Sequence, residues 1–277
     1  MVIVVNYADG NFKKTQAFNT KTAKKWGADK VISFGREDID AEFATRNAEI
    51  LKGKMGGGFF LWKPYFIKRV YETMSENDYL FYSDSGAIFV NKIQYLIDCM
   101  DKENVDIMLF SLENEILERK YTKRDIFILM DCDSEKYAET PQILAGYMIL
   151  KKTDFVTKFL NEWLEYAQDE RLETSMDNTL GLPNYEGFVA HRTQSIPSLL
   201  AKKYELKVFR DPSQFGLINC YPKDVEKRST YPQIIDSHRM KDVTHVWQIK
   251  FRRTMRKNKY IAMLKQKVYD KTGKTIF

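Results

Sequence analysis

No apolar run in the 277-residue chain approaches the roughly 18 residues that a membrane-crossing helix needs. Cysteine is scarce: Cys99, Cys132 and Cys220 are odd in number and scattered, giving neither a disulfide framework nor a zinc-like spacing. The three histidines, His191, His238 and His245, form no close ligand pair. No Gly-x-Gly-x-x-Gly follows the first apolar run, which weakens a dehydrogenase reading, and no Gly-Lys-Ser/Thr completes a phosphate loop. A Gly-x-Ser-x-Gly elbow is also missing, so a Ser-His-Asp hydrolase lacks support. The opening MVIVVNYADG has neither a basic region nor a cleavage site and does not read as a secretory signal. With so little cysteine, a reducing cytoplasm is the expected setting.

What is present is globular in composition, with 44% hydrophobic and 30% charged residues. The length suits one large domain or two small ones and a substantial buried core. The net charge of +6 is uneven: residues 250–274 carry ten Lys or Arg against one acid, Asp270, which leaves the remainder at −3. The body is mildly acidic, so nucleic acid is not the expected partner despite the basic tail. The chain has no internal repeat and no low-complexity segment.

Apolar runs alternate with helical patterns over the first 110 residues. VIVVNY (2–7), KVISF (30–34), YLFY (79–82) and VDIMLF (105–110) read as strands. Residues 15–27, 38–51 and 59–74 read as helices, as do 153–168 and 195–204 further on. QILAGYMIL (142–150) is a further apolar run. This order predicts an α/β domain with a mostly parallel sheet flanked by helices.

Three stretches offer chemistry, each with a plainer reading beside it. In DYLFYSDSGAIF (78–89), Asp84 follows a strand-like run. Asp-Ser-Gly is ordinary turn chemistry, yet the carboxyl end of a strand is where an open α/β sheet places its ligand. KGKMGGG (52–58) could cradle a phosphate through its backbone N–H groups, or simply connect two elements. DCDS (131–134) is a literal Asp-x-Asp, able to hold a divalent cation. It follows TKRDIFILM, where Thr122 and Asp125 have the spacing of a capping box, so it reads better as a solvated turn past a helix end.

Taken in order, NYADGNF (6–12), GGGFFLWKP (56–64), YLFYSDSGAIF (79–89), TKRD (122–125), QILAGYMILKKTDF (142–155), EWLEYAQDERL (162–172), PNYEGF (183–188) and HRTQSIPSLLAKKY (191–204) resemble a family of bacterial GT-A-type glycosyltransferases of capsule and O-antigen assembly. The resemblance spans roughly residues 1–216; residues 217–277 are read as a C-terminal extension with a basic helical tail. It implies a GT-A-like, Rossmann-like fold and a nucleotide-sugar donor. It further implies a glycan acceptor, lipid-linked at the inner face of the cell membrane.

The resemblance also implies site residues. Tyr7, Ala8, Asp9 and Phe12 are similar to the segment that meets the nucleotide base. Asp84 and Gly86 stand where the family usually has Asp-x-Asp, so the second acid is replaced by glycine. A divalent cation, Mn2+ or Mg2+, would then rest on Asp84, the diphosphate, water and a late histidine, assigned to His238 with His245 or water as alternatives. Lys63, Lys123 and Arg124 are the basic candidates for the departing diphosphate, and Gln142 joins the donor set. Relatives read His-Arg-x-Asp-Gln-Ser where this chain has His191-Arg192-Thr193-Gln194-Ser195, without the aspartate. Asp125, Asp177 and Gln194 form the catalytic set, with a carboxylate as the base an inverting enzyme requires; inversion and retention both stay open. The alternative is a non-catalytic nucleotide-sugar or glycan binder on the same fold. The cations of residues 250–274, worth about 1 kcal/mol each near an anionic leaflet, suggest a peripheral membrane contact.

Overall fold

VIVVNY forms strand β1 (Val2–Tyr7), buried along almost all its length. Ile3, Val5 and Tyr7 enter one hydrophobic core and Val4 a second, the two-residue alternation of a strand covered on both faces. The computed structural model describes residues 1–240, 247–248 and 267. β1 is joined by β2 (Lys30–Phe34) and β3 (Tyr79–Ser83), both parallel to it. Further strands follow: β4 (Ala87–Phe89), β5 (Ile107–Ser111), β6 (Ile143–Lys151), β7 (Val208–Arg210) and β8 (Ile235–Ser237).

Six of these strands form one sheet in the order β2-β1-β3-β6-β5-β7, and β4 pairs with β8 in a second, two-stranded sheet. β6 runs antiparallel to both β3 and β5, while β5 and β7 are parallel, so the other five strands share one direction. The fold is the expected α/β class, a mixed and mostly parallel sheet between helices. The helices Trp62–Glu72, Arg124–Leu129, Asp154–Ala167 and Ser195–Lys203 cover one face. Gln94–Glu103, Ala23 of the helix Lys13–Lys25, and the β4–β8 pair cover the other. Full burial of side chains such as Phe81, Leu80 and Phe110 contributes about 1.5–3 kcal/mol each.

Several expected elements change in detail. The helix expected over 38–51 breaks into Ala41–Arg46 and Ala48–Leu51, because the Asn47 amide turns back to donate to the Phe43 carbonyl at 3.0 Å. Asp40 caps the first piece, accepting the Phe43 N–H at 2.7 Å. The helix expected from residue 59 begins at Trp62, since Phe59 and Phe60 hold φ values of 50° and 66°. The capping box at Thr122 and Asp125 does not form. Thr122 donates to the Glu118 carboxylate at 2.5 Å, and Asp125 accepts instead from the backbone of Leu180 at 3.3 Å and the hydroxyl of Thr179 at 2.9 Å. DCDS does lie past a helix end, with Asp131 in the left-handed region.

The boundary expected after residue 216 falls inside the turn Gln214–Leu217. Beyond it the helix Lys223–Arg228 packs on β7, and Tyr231, Ile234 and Ile235 enter the second core. The basic segment 250–274 lies outside the described residues apart from Lys267. No helix among the described residues is long and apolar enough to cross a membrane.

Candidate functional site

Because β1, β3, β5 and β7 share a direction, their carboxyl ends meet at one edge of the sheet, the usual ligand position in open α/β folds. A cavity of about 1130 Å³ opens there. Tyr7 ends β1 and Ala8 and Asp9 follow it, Asp84–Gly86 follow β3, Leu112 and Glu113 follow β5, and Asp211 follows β7; all reach its wall. The loop around Gly56 and Gly57 closes one side and His191–Gln194 another.

The turn after β3 is built to display one carboxylate. The Asp84 N–H donates to the Gly146 carbonyl at 2.9 Å, and the Ser85 hydroxyl donates to the Tyr7 carbonyl at 2.6 Å, tying β3 to both neighbours. Asp84 Oδ1 accepts the Tyr82 hydroxyl at 2.6 Å and pairs with the Lys63 ammonium at 3.1 Å. Lys63 is 8% exposed and Asp84 43%, so the cation is sunk in the wall while the carboxylate faces the cavity. Lys63 also donates to the Ala145 carbonyl at 2.9 Å and lies over the Tyr82 ring. Burial and the Asp84 charge push the Tyr82 hydroxyl well up, so it stays a donor. Asp84 is therefore both part of a turn and part of the cavity wall.

Beside the Lys63–Asp84 pair the Tyr7 ring stacks on Trp62 with centroids 3.7 Å apart and 18° between planes, and the Lys63 ammonium lies 5.8 Å from the Trp62 ring centroid. The Trp62 indole N–H donates to the Gly56 carbonyl at 2.8 Å and so holds the glycine loop against the aromatic pair. Gly57 has φ +66°, and a Cβ there would come within 2.3 Å of Asp9 Oδ2. Gly58, at φ +105°, would press a Cβ to 2.9 Å from the Leu51 backbone. Only glycine lets this loop approach Asp9 so closely.

Of the residues expected from sequence, Tyr7, Ala8, Asp9, Phe12, Lys63, Asp84, Gly86 and Gln194 line this one cavity. The others do not reach its wall. Lys123 donates to the Arg171 and Met176 carbonyls at 2.6 and 2.9 Å, and burial pulls its pKa down. Arg124 pairs with Asp133 at 2.7 Å and lies over the Tyr185 ring. Asp125 is fully buried under the loop it anchors at Thr179, and Asp177 is exposed on that loop. Gln142 is fully buried behind Gln194, whose side-chain nitrogen donates to it at 2.8 Å. His238 follows β8 beside the Asp84 turn, where the next residue's N–H donates to the Gly86 carbonyl at 2.8 Å. Its Nδ1 accepts the Met240 N–H at 3.0 Å. His245 lies outside the described residues.

The donor set does not fit the expected divalent cation. Among the described residues, no three His, Cys, Asp or Glu side chains are grouped to hold a metal ion. The one carboxylate at the turn already shares Oδ1 with an ammonium, and His238 Nδ1 is engaged with backbone.

Other residues at the site escaped the sequence reading. Tyr82 sits two positions before Asp84, and the strand period was a signal for it. Arg239 and Asp211 arrive from distant segments with no sequence signal; burial raises the Asp211 pKa. Beneath the Lys63 wall, Glu173 is 2% exposed, and its Oε2 has no hydrogen-bond partner among the described residues. Burial pushes its carboxyl well up, against the pull of Lys63. The His191 ring, on the cavity wall, is held down to about 4 by burial and by the Lys123 charge.

No family model matches the chain, and no curated protein matches it. Among solved structures it is similar to the galactosyltransferase LgtC in complex with donor and acceptor sugar analogues, at 13% identity over 84% of this chain and 86% of that one, with a TM-score of 0.46. An active-site mutant of LgtC aligns at 12% identity over 90% and 94% of the two chains, with a TM-score of 0.48. Mouse xyloside xylosyltransferase 1 aligns at 9% identity over 85% and 96%, with a TM-score of 0.43. At these TM-scores the likeness carries no argument about activity, which rests on the site itself.

Proposed function

We propose that the chain is a glycosyltransferase that moves a sugar from a nucleotide-sugar donor to an acceptor hydroxyl. One observation supports this above the rest. NYADGNF, GGGFFLWKP, SDSG and HRTQS, blocks scattered from residue 6 to residue 195, each contribute side chains or backbone to the same cavity. The Tyr7–Trp62 stack offers a flat aromatic wall suited to a nucleobase. Lys63 lines the cavity as the cation of the Asp84 pair, and a departing diphosphate that drew its charge away from Asp84 would be stabilised there. The outward face of Asp84 suits the hydroxyls of the sugar, and Gln194 lines the same cavity. The acceptor we infer is a lipid-linked surface glycan at the inner face of a cell membrane. That finer reading rests on the sequence resemblance and on the cations of residues 250–274.

Calorimetric titration with a panel of nucleotide-sugars tests the proposal. One of them should bind more tightly than its free sugar or nucleoside, with binding lost in Gly57→Leu, which crowds the Asp9 corner. A panel with no binder counts against the reading. A second reading, a non-catalytic binder, is favoured by the lone carboxylate already neutralised by Lys63; it predicts binding without turnover.

A further inference from the structure

Gln194 meets the cavity on one side and a closed polar network on the other. At the centre of that network Glu118 is fully buried. One carboxylate oxygen takes the Ser198 hydroxyl and the Lys202 ammonium, the latter at 2.8 Å. The other takes the Thr122 hydroxyl at 2.5 Å and the side-chain nitrogen of Gln142 at 3.0 Å. A carboxylate only accepts, so the group that Gln142 turns toward it has to be the NH2. The two hydroxyls beside the same nitrogen agree. Thr122 spends its proton on Glu118, and Ser195 donates to the Arg192 carbonyl at 2.7 Å, so either hydroxyl oxygen, each 3.2 Å from the Gln142 nitrogen, can take its second proton.

The orientation of one amide fixes the next. With its nitrogen committed to Glu118, Gln142 offers Oε1 to Gln194 and accepts its Nε2 at 2.8 Å. A flipped Gln142 would set its own oxygen against the Glu118 carboxylate, an arrangement that leaves buried groups unsatisfied. Gln194 therefore spends one N–H on the network in a fixed orientation, which leaves its carbonyl oxygen and its second N–H outside that network.

We propose that Gln142, braced by Glu118, is a positioning residue that locks Gln194 as a hydrogen-bond acceptor at this corner of the site. The corner then offers a ligand hydroxyl an acceptor oxygen whose position is fixed, with one amide N–H beside it. That the hydroxyl belongs to a sugar rests on the function proposed above; the amide orientation does not.

Side-chain amide NMR of the 15N-labelled full chain tests it, with Gln194→Glu deleting and so assigning the Gln194 NH2 signals. In the parent, one Gln194 proton should exchange with solvent at least roughly tenfold more slowly than those of a surface glutamine, as expected for a proton held in a buried hydrogen bond. In Gln142→Met that protection should vanish. Turnover should fall about five- to tenfold, the worth of one hydrogen bond, with nucleotide binding unchanged. Fast exchange in the parent, or protection that survives Gln142→Met, overturns the proposal. Should Gln142→Met fail to fold, the parent measurement alone decides. A protein that turns over no nucleotide-sugar would contradict the proposed function while leaving the amide result standing.

Discussion

The Lys63 ammonium lies 3.1 Å from Asp84 Oδ1, so the single carboxylate delivered by β3 reaches the cavity already joined to a buried cation. Asparagine at this position keeps an oxygen for both Lys63 and Tyr82, whereas alanine strands them. Asp84→Asn should therefore change stability by less than about 1 kcal/mol, and Asp84→Ala should cost more, because a buried donor is left unmade. Thermal unfolding of the two variants side by side checks this; equal losses would mean that the carboxylate charge, and not an oxygen to accept from Lys63 and Tyr82, is what the fold needs.

The same pair bears on metal dependence. If the ammonium occupies the place a divalent cation would take, chelator should leave nucleoside diphosphate affinity within about threefold of its value in manganese. A loss of tenfold or more, about 1.4 kcal/mol, would show that the Asp84 turn opens to a metal after all. Titrations in the two buffers are enough to decide.

His191 predicts an acid sensitivity with a definite sign. Its imidazole is held down to about 4 from an ordinary 6.5 by burial and Lys123. Between those values the unfolded chain binds the proton more readily, so stability is lost as pH falls from about 6.5 toward 4. The upper limit is about 3 kcal/mol. His191→Phe should flatten that part of the stability–pH curve, and an unchanged slope would place the acid sensitivity elsewhere.

Glu173 predicts the opposite sign. Burial raises its carboxyl well above the ordinary 4.5. Its contribution is fully present below that value and is lost as pH rises, because the unfolded chain releases the proton first. Glu173→Gln should raise the denaturation midpoint at pH 8 and leave it nearly unchanged at pH 4. Destabilisation at pH 8 would mean that the carboxylate has a partner it needs.

Much of the fold was legible because local patterns decide it. β1, β2 and β3 fall where alternation or continuous apolar runs put them, and Asp154–Ala167 follows its apolar stripe. Strand direction was not legible: an apolar run such as ILAGYMILK carries no sign of its polarity, and β6 lies antiparallel in mid-sheet. For the site, residues next to strand ends were readable and those tied by long-range contacts were not. Tyr7 ends its strand and Asp84 follows its own, but the Lys63–Asp84 pair and the Glu118–Gln142–Gln194 chain exist only once distant segments meet. Lys123, Arg124 and Asp125 carry functional residue types at a suggestive spacing, yet the structure gives each of them a partner within the fold.

The most direct test of the central claim is release of nucleoside diphosphate from a panel of nucleotide-sugars by the parent chain and by Asp84→Asn. Turnover above background is expected with one donor in the parent, with a fall of about 100-fold or more in the folded variant, the scale seen when a group acting on the transition state is removed. Equal turnover in both proteins, or none with any donor in the parent, would contradict it.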